Sequence, residues 1–220
     1  MKEMQMGTRL EQQTENIKLP SWIQWVLATG AGYALGMMLS SYLVDNVLRP
    51  LGPILWGILN VLIYGAVIGI SLGIFQFAVM PRELLPFRVW ILATLAGSAA
   101  GFAVASIVCE ALGNSMDPTK NIVLGQGAVS ATAGVIIGLA NGLGQWYVLR
   151  QRLPRARGWI MASVLGTTLG TVMSAVLLGL FELPLLRDSP NLSVGAILGI
   201  FTGIFQGLFL QSHRRQWPVR

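Results

Sequence analysis

The chain has 220 residues, of which 54% are hydrophobic and only 11% are charged, against about 25% charged in a soluble domain. One Cys and one His can build neither a disulfide framework nor a usual zinc or iron site. This composition, with a mean hydropathy of +0.64, excludes a soluble globular enzyme and a disordered chain and describes a multi-spanning membrane protein.

Residues 1–21 form a polar tail carrying Lys2, Glu3, Arg9, Glu11, Glu15 and Lys18. The tail lacks the short basic start and short apolar core of a cleavable signal peptide. The first apolar segment is therefore expected to stay in the mature protein. A membrane-spanning helix needs roughly 20 mainly apolar residues. Six segments meet that length or nearly so, at about 22–44, 52–79, 89–112, 124–149, 159–181 and 193–210. Together, residues 22–210 are expected to form an all-α membrane domain of six transmembrane helices, followed by a basic tail over 211–220. Asp45, Glu110 and Glu182 sit at span ends, and no charged residue lies deep inside a span.

The first span opens at Trp25 with the pattern W-[IV]-x-A-[ST]-x-x-G-x-x-x-G, whose small members are Ala28, Gly32 and Gly36. The second carries G-x-x-x-G-x-x-x-G-x-x-Q, with Gly65, Gly69, Gly73 and Gln76. The third repeats the first pattern from Trp90, through Ala93, Gly97 and Gly101, and the fourth repeats the second, with Gly134, Gly138, Gly142 and Gln145. The fifth and sixth supply a third copy of each: Trp159, Ala162, Gly166 and Gly170, then Gly195, Gly199, Gly203 and Gln206. No position of either pattern is missing. The chain thus reads as three helical hairpins, about 22–80, 88–150 and 158–210, all in the same orientation. Parallel repeats of this kind are related by an axis along the membrane normal. A pseudo-threefold bundle is the natural closed arrangement.

The distribution of basic residues sets the orientation. The N-terminal tail, the 80–88 and 150–158 loops and the C-terminal tail hold Lys2, Arg9, Lys18, Arg82, Arg88, Arg150, Arg152, Arg155, Arg157, Arg214, Arg215 and Arg220. The opposite side holds only Arg49, Lys120 and Arg187. Both termini are therefore expected on the cytoplasmic face. With 4 acids among those 12 basic residues, that face is +8 and the other is −2, so the net charge of +6 follows from topology. A nucleic-acid partner is not needed to explain it.

Small residues four apart keep one helix face open to a close neighbour, and in lipid such packing replaces the missing hydrophobic drive. The eighteen Ala and Gly residues of the two patterns are accordingly expected to form seams within or between hairpins. The alternative is that they clear space for a ligand or a pore. Each Gln lies eleven residues after the first glycine of its pattern, and eleven steps of about 100° bring it back onto the glycine face. An amide exposed to lipid is costly, so Gln76, Gln145 and Gln206 should point inward. They either tie helices together or form a polar ring that binds a solute, lines a constriction or ligates a pigment magnesium. Trp25, Trp90 and Trp159, with Arg88 and Arg157, read as anchors at the headgroups or as a docking patch for an acidic partner. Asp45, Glu110 and Glu182 are solvated loop residues or a cation-attracting vestibule. Cys109 reads as a packing residue.

The segment Gly142-Leu143-Gly144-Gln145-Trp146-Tyr147-Val148-Leu149-Arg150 resembles a group of uncharacterised bacterial membrane proteins of cyanobacteria and Chloroflexi-like bacteria. They are similar in repeating G-x-x-Q-W-x-V-L-R before a Trp-led, Gly-rich span. The resemblance covers most of residues 22–210. Phe77 and Gly207 depart from it where the group usually has Trp. It implies topology and a plasma or internal, thylakoid-type membrane, and no activity.

Intramembrane enzymes use signatures that this sequence lacks: H-E-x-x-H, G-x-S-x-G, D-x-x-D, a phosphate loop or an aspartate within a span. Ion-coupled carriers commonly bury a charge. The expected function is therefore non-enzymatic, an accessory, assembly or scaffold subunit that packs in the bilayer against a membrane protein partner or a second copy of itself, with no cofactor implied by the residues. The alternatives are a small-solute transporter or channel subunit with its site at the three glutamines, and pigment or lipid binding.

Overall fold

The computed structural model describes residues 21–51, 53–80, 86–115, 122–151, 153, 155–180 and 189–214. Residues 1–20 of the N-terminal tail, Arg82, Lys120, Arg152, Glu182, Arg187, Arg215 and Arg220 lie outside the described residues. The described residues contain helices and no strand: α1 Trp22–Leu43, α2 Pro53–Val79, α3 Phe87–Ser115, α4 Ile122–Leu149, α5 Gly158–Leu180 and α6 Pro190–Arg214. Among the described residues these are six helices long and apolar enough to cross a membrane.

Local chemistry explains the helix starts. Ser21 and Gln24 form a reciprocal capping box: Gln24 N donates to Ser21 Oγ at 3.2 Å and Ser21 N donates to Gln24 Oε1 at 3.0 Å. Pro53 and Pro190 occupy the first helical position, where a missing N–H costs nothing. The Pro86 carbonyl accepts from Trp90 N at 3.2 Å and so opens α3. The stretch after α1 differs from a plain loop. It continues as a π-helical turn Val44–Leu48 and a 3₁₀ turn Arg49–Leu51, leading directly towards α2. The 3.7 Å Arg49–Asp45 pair on this turn is mostly solvent-exposed, and such pairs contribute little. The last helix runs to Arg214, past the expected span end at 210 and into the expected tail. No Pro or Gly interrupts residues 208–214, and the Ser212 hydroxyl reaches back to Phe209 O at 2.8 Å.

Each helix packs on its neighbours in the chain, and α6 packs on α1, so the six close into a ring. Glycines take part in each of the ring's interfaces. Gly32 and Gly36 of α1 sit on Leu72 and Ile68 of α2. Gly97 and Gly101 of α3 sit on Asn141 and Ile137 of α4, and Gly166 and Gly170 of α5 on Thr202 and Leu198 of α6. The remaining seams use the other pattern. Gly65, Gly69 and Gly73 meet Ala99, Leu95 and Ile91 of α3; Gly134, Gly138 and Gly142 meet Thr168, Val164 and Ile160 of α5. Gly195, Gly199 and Gly203 meet Ala34, Gly30 and Val26 of α1, which closes the ring. Ala28 and Ala162 are buried beside them, and Ala93 is half-buried.

A Cβ added at Gly69 would lie 2.6 Å from the Leu95 Cα, at Gly138 2.8 Å from the Val164 Cα, and at Gly199 2.7 Å from the Gly30 Cα. These obstacles are backbone, so whole helices would have to separate. Gly127 has nothing within 4 Å of the same position. Gly69→Ala, Gly138→Ala and Gly199→Ala should each destabilise the protein by about 1–3 kcal/mol. Gly127→Ala should be neutral or stabilising by up to about 1 kcal/mol. Thermal unfolding in detergent measures both, and equal effects at all four sites would contradict the seam assignment.

Candidate functional site

The ring's axis is filled from one end by three tryptophans. Trp25, Trp90 and Trp159, each near the start of its helix, are all 0% exposed. Their rings meet edge to face with centroids 6.4 Å (Trp25–Trp90), 5.6 Å (Trp25–Trp159) and 6.4 Å (Trp90–Trp159) apart. Such pairs contribute about 0.5–1.5 kcal/mol each beyond area burial. Met80, Leu149, Leu153 and Leu210 pack over the triad. This corrects the expectation of headgroup anchors: the indoles lie on the glycine-lined face and point to the axis. Arg88 and Arg157 are exposed. The aromatic company of a basic residue is found instead at Arg150, whose guanidinium lies 5.0 Å from the Trp146 ring and 4.4 Å from the Tyr147 ring.

Beside the indoles sit the three glutamines, two at 0% and Gln206 at 2% exposure. Their amides form a cycle. Gln145 Nε2 donates to Gln76 Oε1 at 2.8 Å, Gln76 Nε2 to Gln206 Oε1 at 3.2 Å, and Gln206 Nε2 to Gln145 Oε1 at 3.4 Å. The second hydrogen of each amide goes to a hydroxyl four residues after a tryptophan: Thr29 at 3.3 Å, Thr94 at 3.2 Å and Ser163 at 2.9 Å. The indoles close the arrangement, with Trp25 Nε1 donating to Gln206 Oε1 at 3.2 Å and Trp159 Nε1 to Gln145 Oε1 at 3.0 Å. At roughly 0.6 kcal/mol for an interhelical bond in a membrane bundle, these eight bonds are of order 5 kcal/mol if additive.

The polar centre continues one turn further. Ser98 Oγ donates to Asn141 Oδ1 at 2.9 Å, and Asn141 Nδ2 donates to the Tyr33 hydroxyl at 3.4 Å. The Thr167 and Thr202 hydroxyls lie 3.3 Å apart. All five residues are buried. Beyond them Met37, Ile68, Leu72 and Leu198 form an apolar layer with Tyr33. The sequence reading did not single out these hydroxyls. Thr29, Thr94 and Ser163 occupy the fifth position of the tryptophan pattern, so that signal was present. Tyr33, Ser98 and Thr167 share a position eight residues after each Trp, conserving polarity without identity.

One bond of the arrangement is missing. Trp90 Nε1 is buried without a partner, as are Trp146 Nε1 and Thr168 Oγ1. The cycle and the three hydroxyls together take up every amide hydrogen of the glutamines, and each of these bonds links two helices. Asp45 and Glu110 are exposed, and no group of three His, Cys, Asp or Glu capable of holding a metal ion occurs among the described residues. Compared with known proteins, the chain matches no family profile, and no curated protein or solved structure matches it.

The orphan indole gives a direct test. Trp25→Phe and Trp159→Phe each remove a hydrogen bond and some volume, whereas Trp90→Phe removes volume alone. Trp90→Phe should therefore cost about 1 kcal/mol less than either of the others. Denaturation in detergent measures the difference, and an equal or larger loss at Trp90 would contradict the assigned bonds.

Proposed function

We propose that this chain is a non-enzymatic integral membrane protein that serves as an accessory, assembly or scaffold subunit, packing against a membrane protein partner or a second copy of itself. In this reading the six helices are three copies of one hairpin about a pseudo-threefold axis along the membrane normal. The matched register supports it: Gly69, Gly138 and Gly199 each oppose the residue five positions after a repeat Trp. Both termini face the cytoplasm in a bacterial plasma membrane or an internal, thylakoid-type membrane, in keeping with the basic residues on that side.

The observation that carries the reading is that the axis is filled over the tryptophan, glutamine and hydroxyl layers. A conduit needs a path or a solute site along the centre of the ring. Here the centre holds three interlocked indoles, a closed amide cycle, a hydroxyl layer and an apolar layer in succession. A solute or a pigment magnesium would have to draw an amide carbonyl out of that cycle and leave a buried donor unpaired, which costs about 1–3 kcal/mol. The outward faces carry large apolar side chains such as Leu27, Leu92, Ile107 and Met161, suited to lipid and to neighbouring helices alike.

Extracted from its native membrane in mild detergent, the chain should migrate in an assembly larger than its own 23.7 kDa and carry a defined membrane partner or further copies of itself. A chain that migrates alone contradicts the reading. So does a Gln145→Leu variant that folds normally but loses a small molecule bound to the wild type.

A further inference from the structure

The ring is filled at the Trp end, and toward the other end the described residues leave a groove that opens outward. A cavity of about 390 Å³ lies among α3, α4, α5 and α6. It begins near Phe102 and reaches Cys109, 12 to 19 residues beyond Trp90, which is about 18–28 Å along the helix at 1.5 Å per residue. Its size falls within the roughly 300–1,000 Å³ of small-molecule sites.

The walls are mostly apolar, and four of the five lining residues with polar side chains turn their hydrogens aside. Ser106 Oγ donates to Phe102 O at 2.9 Å, Thr171 Oγ1 to Ser130 O at 2.8 Å, Ser174 Oγ to Gly170 O at 2.7 Å and Cys109 Sγ to Val129 O at 3.6 Å. These hydrogens are turned onto helix carbonyls and away from the space. A water needs two to four polar partners, and a mainly apolar groove that opens toward hydrocarbon offers few of them and accepts apolar guests.

The cavity exists because one position differs among the three glutamine helices. Twelve residues before Gln76 stands Tyr64; the same offset gives Ala133 before Gln145 and Val194 before Gln206. Tyr64 fills its share of the axis, with its ring 5.8 Å from that of Phe102 and its hydroxyl 3.5 Å from Ser41 Oγ. Ala133 and Val194 leave theirs empty and line the cavity. The surroundings of six apolar spans are hydrocarbon. We propose that this cavity is a binding site for a single hydrocarbon chain of a lipid, either a free fatty acid or one acyl tail of a phospholipid. The proposal rests on the six helices being membrane spans and is independent of the scaffold reading.

Cys109 is the single cysteine of the chain and lines the cavity, so it reports occupancy. The experiment follows alkylation of delipidated protein by N-ethylmaleimide, with palmitic acid or dipalmitoyl phosphatidylglycerol added, and counts bound lipid by native mass spectrometry. The expected result is labelling several-fold slower with the lipid present than without it, and one tightly bound chain. Slowing by palmitic acid alone assigns the site to a free fatty acid; slowing by both assigns it to an acyl tail in general. Ala133→Tyr copies the side chain the protein already accommodates at Tyr64 and should abolish the bound chain, while Leu27→Tyr on the outer surface should retain it. If Ala133→Tyr does not fold, the wild-type protection experiment decides alone. Cys109 that labels as fast with either lipid as without one, native mass spectra with no bound chain, or a folded Ala133→Tyr that keeps its lipid would overturn the proposal.

Discussion

A primary amide in hydrocarbon has two donors and a carbonyl that water cannot reach, and leaving them unpaired is expensive. The arrangement of this protein follows from placing three such amides where only each other, three hydroxyls and the indoles can satisfy them. Each bond of the cycle joins two different glutamine helices, and each hydroxyl or indole bond joins a glutamine helix to a tryptophan helix. One layer of side chains thereby ties all six helices. The pattern constrains register as well as association, because a shift of one residue along any helix would rotate its amide by about 100° off the axis.

The clasp depends on close approach, which the glycines supply. Lipid offers helices no hydrophobic reason to associate, so contact area and hydrogen bonds must do it. Two different glycine series face two different neighbours. Gly32 and Gly36 bring α1 against α2, while Gly65, Gly69 and Gly73 bring α2 against α3. Every helix therefore has a small-residue seam toward one neighbour and receives the seam of the other, and the ring closes where Gly195, Gly199 and Gly203 reach α1. Without these seams the backbones would stand too far apart for side chains as short as Gln and Thr to meet at the centre.

Much of this was legible from spacing. The helices follow from apolar length, and the inward glutamines follow from eleven steps of rotation relative to the first glycine. The tryptophans were misread because a Trp near a span end usually marks a headgroup region. Rotation told otherwise: Trp25 precedes Gly32 by seven residues and Gly36 by eleven, which puts all three on one face. The second polar layer escaped notice because Tyr33, Ser98 and Thr167 match in hydrogen-bonding capacity and not in residue type. The cavity was hidden for a related reason. It arises from unequal volumes at Tyr64, Ala133 and Val194, and a search for identical residues passes over the position where the copies differ. The chain's course after α1 turned on a π-helical turn that composition does not signal.

The central claim is that the three glutamines form one cooperative unit that exists to satisfy itself. Single changes and their combination separate this from three independent contacts. Removing one glutamine strands the amide groups it satisfied on the others, whereas removing all three strands only the Trp25 and Trp159 indole donors. The measurement is the unfolding free energy in detergent of Gln76→Leu, Gln145→Leu, Gln206→Leu and the triple variant. The account predicts a loss of about 1–3 kcal/mol for each single change and a triple variant that loses clearly less than the sum of the three. Strict additivity, with the triple variant losing that full sum, would contradict it.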